Sequence, residues 1–129
     1  MLTEINIQKK CQDIEVGDYF LYDNEIYIKS DLYCEKVSIN IKTGSAEIFS
    51  ETPVIPLKQK MSFACDFKKI RYNNNMLKSG DCIILRNGDF GIVTRYKFKQ
   101  YIIDLFTGNC FLLHNDNYNV LPNAKIIIG

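Results

Sequence analysis

An all-β protein made of two small tandem β-barrels, arising from an internal duplication, is what this sequence predicts. Three observations carry that expectation. The apolar set is dominated by strand formers, with eight Tyr, eight Phe and no Trp, and Ile, Tyr, Phe and Val favour sheet. Short apolar runs of strand length are separated by turn residues throughout. Most informative, "VGDYF" at 16–20 returns as "SGDCI" at 79–83, and the likeness continues from there.

Gly17-Asp18 matches Gly80-Asp81 at an offset of 63 residues, and each pair leads into a strand, "YFLY" or "CIIL". A turn follows in each copy, "DNE" at 23–25 and "NGD" at 87–89. Asn-Gly marks a hairpin because both residues accept positive φ. "IYI" then meets "FGI", so Ile28 falls on Ile92 at an offset of 64. After a polar connection, "SINIKTG" (38–44) meets "IIDLFTG" (102–108), which places Gly44 and Gly108 in equivalent tight turns. "SAEIF" and "NCFLL" supply the next strands, and "VIP" (54–56) matches "VLP" (120–122) at an offset of 66. "MSFACDF" (61–67) closes the first copy as a strand with Met61, Phe63, Cys65 and Phe67 alternating. Helical spacing of Phe63, Phe67 and Ile70 is the alternative there, but the segment follows "VIP" as "AKIII" follows "VLP".

Five short strands in each copy suit a small, strongly curved barrel of the SH3-like type. The expected boundaries are 12–67 for the first barrel, 68–75 for a linker and 76–129 for the second. A barrel near 60 residues is marginal alone, so tandem copies would cover each other's open edges.

Hydrophobic content of 47% and charged content of 24% are those of a soluble globular chain. No apolar run approaches the roughly 18 residues of a membrane span, and the charges near the N-terminus follow the apolar start, the reverse of a signal peptide. Cys11, Cys34, Cys65, Cys82 and Cys110 are odd in number and lack C-x-x-C spacing. Free thiols and a cytoplasmic location are expected. The net charge of +1 conceals a split: residues 1–57 hold five Lys against ten Asp or Glu, and 58–129 hold eleven Lys or Arg against five Asp. Such a split suits a nucleic-acid-facing half, or two halves that attract each other.

Two resemblances appear on these residues. "DIEVGDYFLYDNEIYIKSD…INIKTGSAEIF" resembles small proteins of phages and mobile elements of Gram-positive bacteria, whose "vGD-x-F…(D/N)G-x-x-Y-x-K…N-x-x-T-G" pattern spans most of both repeats. Asn24-Glu25 stands where that pattern has Gly. "SGDCIILRNGDFGIVTRY" is similar to the KOW-type opening of an SH3-like barrel, some of which bind RNA or ribosomal proteins. Neither supplies catalytic residues.

The chemistry-bearing motifs are read as structural. "DFG" at 89–91 resembles the metal-binding motif of protein kinases but lacks a Gly-rich loop and a catalytic loop. His114 and Cys110, four residues apart in a strand, would stand about 13 Å apart at ~3.3 Å per residue, outside hydrogen-bond reach. No metal set, cofactor or catalytic constellation is expected. The sharpest binding lead is "RYKFKQY" (95–101), read as a strand with Arg95, Lys97 and Lys99 on one face and Tyr96, Phe98 and Tyr101 towards the other. Lys68, Lys69 and Arg71 add basic charge, and Asp23, Glu25 and Asp31 form acidic turns in the first copy. The expected function is non-catalytic binding: inhibition of a host protein or nuclease complex, of the anti-CRISPR kind, is ranked above nucleic-acid binding by the basic half.

Overall fold

The computed structural model describes residues 8–32, 35–57, 61–64, 71–72, 77–85, 87–113, 119–121 and 124–128. The chain is all-β, with one 3-10 turn, Cys11–Asp13, as its helical content among the described residues. No helix among them is long and apolar enough to cross a membrane.

Among the described residues fourteen strands form: β1 Lys9–Lys10, β2 Tyr19–Tyr22, β3 Glu25–Leu32, β4 Glu35–Asn40, β5 Ala46–Glu47, β6 Pro53–Leu57, β7 Met61–Ala64, β8 Arg71–Tyr72, β9 Cys82–Ile84, β10 Phe90–Tyr96, β11 Lys99–Asp104, β12 Cys110–Leu112, β13 Asn119–Leu121 and β14 Lys125–Ile128. Two antiparallel six-stranded sheets result, ordered β1-β6-β2-β3-β4-β5 and β8-β13-β9-β10-β11-β12. Taken in chain order within each half, the two orders are the same. Among the described residues neither sheet closes on itself.

Two expectations change here. β7 and β14, expected to close one copy each, pair with each other instead, Met61 opposite Ile128 and Ala64 opposite Lys125. The stretch 68–75, expected as a linker, contains β8, whose Arg71 and Tyr72 pair with Val120 and Asn119. The strand reading of 61–64 holds over a helix, and residues 65–70 lie outside the described ones.

Turn chemistry explains the hairpins. Asp23 and Asn24 sit at φ 51° and 60° between β2 and β3, a two-residue turn with both residues left-handed. Short polar side chains tolerate that conformation. Gly44 and Gly108 follow β4 and β11 at φ 74° and 75°, as the matched Thr-Gly pairs imply. Asn40 Oδ1 accepts from the backbone N–H of Lys42 and Thr43, and Asp104 Oδ1 accepts from those of Phe106 and Thr107.

The sheets meet face to face, with reciprocal contacts. Ser30 Oγ donates to the Gly108 carbonyl at 2.7 Å, and Thr94 Oγ1 donates to the Gly44 carbonyl. Between the sheets lies the main core: Tyr19, Ile28, Leu32, Val37, Ile39 and Ile41 from the first half, with Ile92, Tyr101, Ile103 and Leu105 from the second. Each sheet's outer face carries a smaller cluster of its own, around Phe20 and Tyr27 in the first and around Ile83 and Ile102 in the second.

One pair differs between the halves in a testable way. In the first, Asn40 Nδ2 donates to Glu25 Oε2 at 3.0 Å. In the second, Asp104 faces Asp89, and this carboxyl partner, with burial, pushes the Asp89 pKa up while Asn87 pulls it down. A raised folded-state pKa stabilises below the unfolded value and loses that contribution as pH rises through the folded one. Asp104→Asn recreates the Asn40–Glu25 arrangement, so it should raise Tm at neutral pH. The gain should shrink as pH falls to about 4, where carboxyls protonate. Thermal melts at the two pH values measure it; an equal Tm change at both would contradict an unfavourable contact between the two carboxyls.

Candidate functional site

Residues 95–101 do not form one strand. Lys97 and Phe98 adopt φ 49° and 68° and close a two-residue turn between β10 and β11, with Tyr96 opposite Lys99 and Arg95 opposite Gln100. Strand alternation therefore puts Arg95 on one sheet face and Lys99 with Tyr96 on the other, while Lys97 lies at the tip. The expected cationic face does not exist. Tyr101, expected as an exposed aromatic, is 3% exposed and packs in the main core, because its position opposite Thr94 points between the sheets.

Phe98 is the outlying feature. It is 92% exposed at the tip of this hairpin. A left-handed conformation costs a bulky L-residue roughly 1–2 kcal/mol, and here the ring gains almost no burial in return. Phe98→Gly should therefore stabilise the isolated protein by up to about 1 kcal/mol, since Gly suits the second position of this turn. Urea denaturation checks this; a clear loss of stability would show that the ring packs in the free protein.

The first sheet holds the tip in place. Tyr96 Oη donates to Glu35 Oε2, Lys97 Nζ donates to Glu35 Oε1 at 3.0 Å, and Lys97 Nζ lies 5.3 Å from the Tyr96 ring centroid. Accepting from the Tyr96 hydroxyl and from Lys97 holds the Glu35 carboxyl below its ordinary range, and the same contacts push Tyr96 and Lys97 upwards. Arg95 and Lys99 are exposed, with no acidic partner among the described residues.

The other predicted residues do not join this site as one patch. Asp23 and Glu25 are exposed at the start of β3, and Asp31 lies six residues further along it, about 20 Å away at ~3.3 Å per residue. Asp31 pairs with Lys36 across the strands, one position beyond Glu35, so it stands on the hairpin's side of the molecule. Arg71 is in β8, and Lys68 and Lys69 lie outside the described residues, as does His114. Cys110 is half-buried, and burial with the nearby Asp31 charge pushes its thiol up to about 11. Among the described residues no group of three or more His, Cys, Asp or Glu converges on a possible metal position.

Sequence reasoning missed Phe98 as a tip residue and Glu35 as its support. The matched segments held the signal: at offset 64, 96–99 falls on 32–35, a stretch already read as a connection. No family model matches the chain, and no curated protein or solved structure matches it either.

Proposed function

We propose that this chain is a non-catalytic binding protein that docks through the tip of the β10–β11 hairpin, with Phe98 as the anchor, and that it inhibits a host protein or nuclease complex. The exposure of Phe98 in a conformation that costs stability carries the reading, because such residues persist where a site uses them. A buried aromatic flanked by Arg is a common centre of protein recognition. Arg95, Lys97 and Lys99 around it favour a partner pocket that is apolar within and acidic at its rim. Co-purification from the producing cell tests this. The wild type should retain a discrete protein that Phe98→Ala loses, and equal retention by both would contradict the site.

A second reading is nucleic-acid binding by the same tip, favoured by the exposed Arg95 and Lys99 beside an aromatic that could stack on a base. It ranks lower because Glu35 already engages Lys97 and the first half is acidic. A gel-shift titration at two salt concentrations separates the classes. The protein reading expects negligible binding to generic DNA and RNA at physiological salt, whereas submicromolar, salt-sensitive binding reverses the ranking.

The two sheets are proposed to be copies of one SH3-like unit. The equal strand order, the offsets of 63–66 and the reciprocal hydrogen bonds support duplication. Phage or mobile-element origin, and with it action in the host cytoplasm, rests on the sequence resemblance alone.

A further inference from the structure

Lys29 is 1% exposed, and no carboxylate among the described residues lies within ion-pair distance of it. Its Nζ donates to the Cys11 carbonyl at 2.8 Å and lies 3.4 Å from Cys11 Sγ. Cys11 is 0% exposed, and its Sγ is also 3.4 Å from Ser38 Oγ. The equivalent place in the second sheet, at offset 64, is Val93, fully buried in an aliphatic cluster. The architecture thus accepts an apolar side chain there. A buried lysine without a carboxylate is a costly replacement for an aliphatic side chain. The carbonyl bond fastens the 3-10 turn, yet it does not call for a thiol at the same amine.

We propose that Lys29 and Cys11 form a modification site, an oxidative Nζ–O–Sγ bridge made by a peroxide. The balanced reaction is Lys–NH2 + Cys–SH + 2 H2O2 → Lys–NH–O–S–Cys + 3 H2O. N–O and O–S bonds form, and N–H, S–H and both peroxide O–O bonds break. Nitrogen and sulfur each lose two electrons, and each peroxide takes two. If the amine starts protonated, one proton is released as well. Peroxide is close to water in size, and the 3-10 turn that carries Cys11 has exposed Lys10, Gln12 and Asp13 around it. The bridge would fasten the turn after β1, an edge strand held through Lys9–Val54 and Lys10–Pro53, onto central β3.

The test is mass spectrometry of the whole protein and its tryptic peptides after hydrogen peroxide treatment. The expected product carries Cys11 joined to Lys29, with a gain of about 14 Da, resists trypsin after Lys29, and reverts with a thiol reductant. Lys29→Met and Cys11→Ser should each abolish the species. The wild-type peptide map decides the matter even if a variant fails to fold. Cys11 left unmodified, gains of only about 16 or 32 Da on Cys11 with Lys29 free, or a Cys11 disulfide would each overturn the proposal.

Discussion

Gly44→Ala and Gly108→Ala are each expected to destabilise the fold by about 3 kcal/mol or more, with Val at least as damaging. Positive φ alone accounts for roughly 1–2 kcal/mol of this. The larger share comes from the other sheet. A Cβ at Gly44 would run into the Gly80 backbone nitrogen and stand 2.5 Å from the Val93 carbonyl oxygen. A Cβ at Gly108 would stand 2.5 Å from both the Gly17 nitrogen and the Lys29 carbonyl oxygen. All are backbone atoms, and they belong to the Gly17 N–H···O=C Lys29 and Gly80 N–H···O=C Val93 bonds of 2.9 and 2.8 Å. Neither turn can shift without parting the sheets. Gly88 is the control: it has φ 89° but nothing within 4 Å of a Cβ, so Gly88→Ala should cost only the conformational part. Urea unfolding of the three variants measures the contrast, and equal losses at 44, 88 and 108 would refute the close approach.

Neither half of the chain is expected to fold alone. Residues 1–67 would lose the covering of Ile28, Leu32, Val37 and Ile39, all 0% exposed and packed against Ile92, Tyr101, Ile103 and Leu105. Residues 68–129 would lose the reverse. Truncating one such Ile to Ala already costs about 2–5 kcal/mol, and removing the facing sheet exposes the entire cluster in a unit of marginal size. Tyr19 Oη also donates to the Leu105 carbonyl across the halves. Each fragment should lack a cooperative melting transition, and mixing them should restore one. A cooperative melt of either fragment by itself would contradict the shared core.

Much of this architecture was legible in the sequence, because turns and strand alternation are local. The "DNE" and "NGD" turns, the Thr-Gly pairs and the apolar runs located hairpins where β2–β3, β9–β10 and β4–β5 form. What was not legible depends on contacts between the two sheets. That β7 pairs with β14 follows from how the sheets face each other, which no window of sequence records. Nothing in "YIKSD" marks Lys29 as buried; its amine meets the carbonyl of Cys11, 18 positions earlier. The β10–β11 turn was hidden for a different reason. Lys97-Phe98 has none of the Asn, Asp or Gly that usually announces a left-handed pair, so alternation of charge and ring was read as strand. That same mismatch between residue type and backbone is what makes the tip a candidate site.

The most direct test of the binding proposal places a photoreactive benzoylphenylalanine at position 98 in the producing cell, with position 88, at the neighbouring β9–β10 turn, as the control. Irradiation should yield one discrete protein adduct from position 98 and none from position 88. Adducts to nucleic acid, the same adducts from both positions, or no adduct at all would contradict a protein partner held by the tip of this hairpin.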